Sequence, residues 1–260
     1  MLEKELQFER GLFFSLNGSD SAFWDNFFYI YTNPLTWLIF YLCFLWVFTY
    51  KKNWKETVCI LVAIGLLFLL CDQISSSVFK PYFHRFRPTH HSDFMDHVKI
   101  LFNYRGENCV FISGQAIYLD KKGVEELIRQ LYGGRYGFIS GHAANMFGFA
   151  TFCALVFRNR LFTFTIFLFV LLIAYSRVYL GVHFISDVVV GAIVGSLIAV
   201  FVYWLYGWLR SRWLRIESEQ LEKPLCSRQE TYFLCGVFYL YIIIILLFNT
   251  QLVGLLLPHH

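Results

Sequence analysis

Six stretches of the chain, 34–50, 57–79, 140–157, 161–179, 183–209 and 232–257, are apolar and almost free of charge. A helix needs roughly 20 such residues to cross the hydrocarbon of a bilayer. Hydrocarbon offers no hydrogen-bond partners, so the backbone groups of each run must be satisfied within helices. The pattern therefore predicts an all-α fold, a polytopic membrane helical bundle of about six transmembrane helices. Composition agrees: 15% of residues are charged and 57% are hydrophobic, whereas a soluble domain is about a quarter charged. No internal repeat or low-complexity segment interrupts the pattern, so residues 1–260 read as a single membrane domain.

The first 24 residues are not a signal peptide, because acidic residues and interrupting charges break the apolar positions of "MLEKELQFERGLFFSLNG". On a helix, Leu2, Leu6, Leu12, Phe13 and Leu16 would share a face with Phe8 at its edge, which predicts an N-terminal helix lying in the membrane interface. The net charge of +4 is modest and its basic residues are spread over several loops, so no nucleic-acid partner is expected. The seven cysteines contain no C-x-x-C pair, and most read as small apolar residues.

Short-loop charge sets the orientation. Loops 51–55, 158–160 and 210–231 carry Lys51, Lys52, Lys55, Arg158, Arg160, Arg210, Arg212, Arg215, Lys223 and Arg228, and they fall on one side of a six-span chain. That side is expected to be the cytoplasm of a bacterial-type inner membrane. The long polar stretch 80–138, the turn around Gly181 and both termini then face outward.

Three polar clusters meet that outer face. The first is "KPYFHRFRP", Lys80 to Pro88. Lys80 and Arg87 are two helical turns apart and would share a helix face; a solvated charge run anchoring lipid headgroups would read the same way. The second is Ser140-Gly141-His142, opening the third run. Ser140 suits an N-cap, and free amides at a helix start form an anion site, although a lone His142 could equally be an interfacial histidine. The third is "SRVYLGVHFISD", Ser176 to Asp187. His183 and Asp187 are four apart, so a carboxylate can fix the imidazole tautomer and leave the other nitrogen as base or nucleophile. Arg177 offers a fork for phosphate oxygens. Alone, this cluster could also be an ion pair that locks two helices together. Ionisable residues inside a membrane domain are costly and usually functional. Cations and amides gathered around a histidine–acid pair suit phosphoryl transfer.

Lys80-x6-Arg87-Pro88, Ser140-Gly141-His142 and Ser176-Arg177-x5-His183-x3-Asp187 together resemble the three-part signature of the type 2 phosphatidic acid phosphatase superfamily, which includes membrane lipid phosphatases and vanadium-dependent haloperoxidases. One departure is Ile139, where the family usually has proline; it removes no reacting group. The resemblance implies that His183 attacks phosphorus, Asp187 supports it, and His142 protonates the leaving oxygen and then activates water. Lys80, Arg87, Ser140, Gly141 and Arg177 would hold the phosphoryl oxygens, with neither metal nor cofactor.

The expected function is hydrolysis of a phosphomonoester or diphosphate on a membrane lipid, with undecaprenyl diphosphate or a lipid A-type glycolipid as leading substrates. Phosphatidylglycerol phosphate or phosphatidate is the alternative, as is a non-catalytic lipid-phosphate binding or transport protein. Haloperoxidase chemistry is disfavoured, since those relatives are mostly soluble. Two features of the long loop stay outside this scheme. His90, His91, Asp93, Asp96 and His97 are metal-ligand types, but their spacing matches no ligand motif and reads as a solvated loop. Residues 119–134 read as a short amphipathic surface helix ending at Gly133-Gly134.

Overall fold

The computed structural model describes residues 2–17, 21–94, 97–98, 103–104, 107–112, 115–118, 134–216 and 223–256. Eight helices carry the architecture among these residues: α1 (Leu2–Leu16), α2 (Ala22–Thr32), α3 (Leu38–Thr49), α4 (Trp54–Gln73), α5 (Gly141–Phe157), α6 (Arg160–Tyr179), α7 (Ile185–Trp213) and α8 (Arg228–Leu256). Among the described residues, four stretches are long and apolar enough to cross a membrane: Trp54–Phe83, Arg160–Tyr179, Ile185–Trp213 and Arg228–Leu252.

The other two expected spans are helical but not single full-length rods. Phe23–Thr32 and Pro34–Thr49 form a pair bent by 68°. The break is local: Asn33, preceding a proline, adopts an extended ψ of 122°, and its side chain accepts from Leu35 N at 2.9 Å. The third span is only the 17 residues of α5. Asparagine caps start the spans on the opposite side. Asn53 accepts from Lys55 N at 3.0 Å at the head of α4, and Asn159 from Phe162 N at 3.1 Å at the head of α6.

The helices are apolar all round, as lipid demands. Leu197, Phe164, Trp204 and Leu247 point outward at 64–68% exposure. Inside, aromatic rings fill the bundle: Trp37 meets Phe169 at 4.7 Å, and Phe157 stacks on Phe162 at 4.1 Å.

α5 and α7 cross at backbone contact, and small residues permit it. A Cβ on Gly191 would lie 2.7 Å from the Ser140 carbonyl, and one on Gly195 would overlap the Ala144 carbonyl. Spacing of small residues every fourth position is the membrane solution for bringing two backbones together. Here it sets the helix that carries His142 on its first turn against the helix that carries Asp187.

The three basic loops gather at one end of the bundle. Lys52 Nζ donates to Leu225 O at 2.9 Å and pairs with Glu230 at 3.2 Å. Leu225 N donates to Val156 O at 3.3 Å, and Arg210 pairs with Glu56 at 2.6 Å. The three polar clusters lie at the opposite end.

The N-terminal helix forms, and the side it turns to the bundle is distinct from the Phe8–Leu12 edge that the sequence assigned to the membrane interface. Glu9, Phe13 and Asn17, four apart, are buried, while Phe8 and Leu12 are 92% and 55% exposed. A small antiparallel sheet also lies in the long loop: β1 (Asn103–Tyr104), β2 (Glu107–Ile112) and β3 (Gln115–Tyr118), in the order β1-β2-β3. Ile112 pairs with Gln115 across the intervening Ser113-Gly114, a dipeptide that punctuates hairpins and was the available signal. The helix expected at 119–134 lies, up to residue 133, outside the described residues.

Candidate active site

The first motif enters from the end of α4. That helix widens into a π-helical stretch, Ile74–Phe79, and closes with one turn, Lys80–Phe83. Ser75 on the widened turn donates to Ile139 O at 3.2 Å, tying the second motif to the first. Such local widening is frequent at functional sites.

The helix does not continue to Arg87, so Lys80 and Arg87 do not share a helix face as expected. His84 takes a left-handed φ of 46° and ends it. Arg87, held in the β region by Pro88, has ψ 159°. Residues 85–87 instead run antiparallel to 135–137. Arg87 N donates to Arg135 O at 2.9 Å and Gly137 N to Arg85 O at 2.8 Å, with Phe86 bridging Tyr136. Extended backbone alternates its side chains. Arg85 and Arg87 therefore turn inward, 4% and 6% exposed, while Phe86 turns out at 41%.

Ser140 caps α5 as expected, its Oγ accepting from Ala143 N at 3.3 Å. Its own N–H donates to Asp187 O at 3.0 Å, joining the second motif to the third. Gly141 is half-buried, Lys80 likewise, and the His142 side chain on the first turn of α5 is exposed.

The third motif is the turn between α6 and α7. Val182 N and His183 N both donate to Arg177 O, at 3.0 and 3.2 Å, which folds the turn back over Arg177. Arg177 itself is buried and donates to Thr32 Oγ1 at 3.2 Å. Asp187, fully buried, accepts from Phe184 N at 3.0 Å through Oδ2. The same oxygen lies 3.5 Å from His183 Nδ1, an ion-pair distance rather than a closed hydrogen bond.

On the other side of the imidazole, Arg87 Nη1 lies 3.1 Å from His183 Nε2. A guanidinium only donates, so Nε2 is the acceptor and the ring proton sits on Nδ1, facing Asp187. Burial holds the His183 pKa well below the usual histidine value, and the positive charges of Arg87, Arg177 and Lys80 push it the same way. The ring is neutral, with its Nε2 lone pair turned toward the cations. Those three cations act on His142 as well, which places both histidines in one field.

Four contributors were not anticipated from sequence. Gly137 packs so close that a Cβ there would lie 3.1 Å from Asp187 Oδ2 and 3.2 Å from Arg87 Cγ. Arg85 lies in the first motif's charge run with no role assigned to it, yet its Nη1 is 3.3 Å from Asp187 Oδ1 and its guanidinium lies 4.7 Å from the Phe184 ring centroid. Glu9 pairs with Arg85 at 2.6 Å, and Thr32 reaches Arg177. The period-two spacing of Arg85 and Arg87 was the available signal for Arg85.

The histidines of 90–97 pack rather than cluster. His90 Nδ1 is 3.1 Å from Thr89 Oγ1, His91 lies edge-on to Phe94, and His97 edge-on to Phe14. Asp96 is outside the described residues, and no group of His, Cys, Asp and Glu able to hold a metal occurs among those described.

Residues 56–211 match the family model described as the PAP2 superfamily. A lipid A 4'-phosphatase of Porphyromonas gingivalis is 43% identical over 213 residues, 82% of this chain and 79% of that protein. A lipid A 4'-phosphatase of Bacteroides thetaiotaomicron is 31% identical over 206 residues, 79% of this chain and 78% of that protein. No solved structure matches the chain.

Proposed function

The chain belongs to the PAP2 superfamily and is a membrane lipid phosphatase; from that premise we propose that it removes the 4′-phosphate of a lipid A-type glycolipid through a phosphohistidine on His183. The substrate comes from two relatives with that printed activity, each aligned over about four-fifths of both chains. The single observation that carries the chemistry is the His183 ring, held between Asp187 at Nδ1 and Arg87 at Nε2.

The steps follow from that geometry. A phosphoryl group entering the site displaces Arg87 from Nε2, and the guanidinium turns onto the phosphoryl oxygens. Lys80, Arg177 and the amides at the start of α5, beside Ser140 and Gly141, hold the rest of that charge. Nε2 attacks phosphorus, the N–P bond forms, and the P–O bond to the sugar breaks. The arriving phosphate dianion offsets the cations that otherwise keep His142 neutral, so His142 enters the step protonated and gives that proton to the leaving oxygen. Asp187 balances the imidazolium that the attack creates. His142 then takes a proton from water, the oxygen attacks phosphorus, and the N–P bond breaks to release phosphate and restore His183. No step calls for a metal, because the site's own cations neutralise the equatorial oxygens.

We further assign the site to the outer face of the inner membrane. The basic loops 51–55, 158–160 and 210–231 lie together at the opposite end, which the positive-inside rule makes cytoplasmic. Residues 1–260 act as one domain in this scheme, with α1 in the outer interface.

Purified protein offered a bis-phosphorylated lipid A should release the 4′-phosphate and leave the phosphate at position 1. Release should persist in EDTA and be blocked by vanadate, which mimics five-coordinate phosphorus. In sealed right-side-out vesicles the phosphate should appear in the external medium. Faster release from undecaprenyl diphosphate or phosphatidylglycerol phosphate would replace the substrate assignment, and loss of activity in EDTA restored by a divalent metal would contradict the chemistry.

The pH dependence has a defined sign. Burial first, and then the cations beside it, disfavour protonation of His183, so the acid limb of kcat/KM that it sets should lie below pH 6.5, the ordinary histidine value. Arg87→Gln removes one of those cations and should move the limb upward, whereas substrate ionisation stays the same for both proteins. An unmoved limb in Arg87→Gln would contradict this.

A further inference from the structure

We propose that Glu9, on the N-terminal helix and outside the family-matched residues 56–211, is a positioning residue of the hydrolytic site that acts through Arg85 and the start of α7. The proposal rests on the His183–Asp187 reading above.

Glu9 is 8% exposed, and its carboxylate meets three donors. Oε1 accepts from Arg85 Nη2 at 2.6 Å and from Ser186 Oγ at 2.8 Å, and Oε2 accepts from Ser186 N at 3.0 Å. Ser186 N is one of the open amides in the first turn of α7. Glu9 thus supplies from another helix the cap that Phe184 lacks a side chain to provide. Asp187, one residue on, inherits that fixed helix start.

Arg85 completes the chain. Its Nη1 donates to Ser186 Oγ at 2.7 Å and lies 3.3 Å from Asp187 Oδ1. Its guanidinium sits between the rings of Phe184 and Phe138, at 4.7 and 5.6 Å. Around Asp187, Arg85 and Arg87 are set against Glu9 and Asp187, while Arg177, also buried, donates to the neutral Thr32 hydroxyl. Without Glu9, Asp187 would be the one carboxylate serving both guanidiniums and His183. Arg85 would draw it off the imidazole, and the imidazolium would lose its partner in the transition state.

Other contacts show why the N-terminal segment holds this place. Asn17 donates to Val178 O and Tyr179 O, at 3.3 and 2.9 Å, pinning the end of α1 to the turn that bears Arg177. Phe13 packs against Phe184 at 5.5 Å. Among the described side chains, Glu9 and Phe13 on α1 and Asn17 just past its end are buried, so two of these three inward residues are polar.

A carboxylate one step removed from an oriented histidine controls rate more than binding. Removal of the outer partners of metal-ligating histidines costs about 10- to 100-fold, and the same range is expected for Glu9. The test compares full-length wild type, Glu9→Gln, Asp187→Asn, the double variant and His183→Ala, each matched for folded fraction by thermal melting, with lipid A bisphosphate in micelles. Glu9→Gln should lower kcat by about 10- to 100-fold with KM changed by less than about threefold. In the Asp187→Asn background the same substitution should change kcat by less than about threefold, because its route to the histidine is gone. Glu9→Asp keeps the charge but shortens the reach and serves if Glu9→Gln does not fold; its effect should also vanish in the Asp187→Asn background. Wild-type kcat in Glu9→Gln, or equal losses in both backgrounds, would overturn the proposal. An active His183→Ala would instead overturn the histidine reading beneath it.

Discussion

His183→Ala should leave the folded protein with at least about a thousandfold less turnover, roughly 4 kcal/mol of lost transition-state stabilisation. The size follows from the role: with no nitrogen at that place there is no N–P bond, and the cations alone can only hold the substrate. The fold should survive. Arg87, the nearest neighbour, keeps its bonds from Nε to Gly134 O at 2.8 Å and from Nη1 to Val182 O at 3.2 Å. Asp187 keeps Phe184 N and Arg85. Substrate binding should change far less than kcat. Retention of more than about a tenth of normal activity, under ~1.4 kcal/mol of barrier, would mean that the ring is a structural ion-pair partner. His183→Gln, closer in size, separates loss of the nucleophile from a packing defect.

The second large effect belongs to a residue with no chemistry. Gly195→Leu should abolish folded, active protein. A side chain there would overlap the Ala144 carbonyl, and backbone cannot move aside as a side-chain tip can. Overpacking ordinarily costs about 1–3 kcal/mol, and more where backbone must shift. Because α5 carries His142 on its first turn and α7 carries Asp187, parting the helices would also part the two halves of the site. Gly207 on the same helix has open space around its Cα position. Gly207→Ala should melt within a few degrees of wild type. A Gly195→Leu protein that melts with Gly207→Ala and turns over normally would show that the crossing tolerates separation. The readout is detergent-solubilised thermal melting together with phosphate release.

What could be read from the sequence divides along a physical line. Apolar runs in lipid have one solution, so the spans were legible, down to the Ser140 cap. The three motifs were legible because each places reactive types at short, fixed spacings. Long-range partners were not. Glu9 sits 76 residues from Arg85 and looks like any charge on an interfacial helix. Only its four-residue spacing from Phe13 and Asn17 hinted at an inward stripe. Arg85 was hidden by a wrong local premise: a helix through Arg87 would have pointed it elsewhere, whereas the short antiparallel pairing with 135–137 turns it toward Asp187. The bend at Asn33-Pro34 was written in the dipeptide, yet the preceding α2 was partly assigned to the interfacial segment. The roles of His90 and His91 were not legible either: among the described residues His90 Nδ1 meets Thr89 Oγ1 and His91 Nδ1 accepts from Asp93 N, local contacts that their spacing alone does not announce.

The most direct measurement is rapid acid or base quench of wild-type protein turning over ³²P-labelled lipid A, followed by mapping of the label. A covalent phosphoenzyme that is lost in acid, survives in base and maps to His183 is the predicted result, with no label in His183→Ala and accumulated label in a variant of His142, which should stall the water step. Label on His142, or turnover with no covalent phosphate at any quench time, would contradict it.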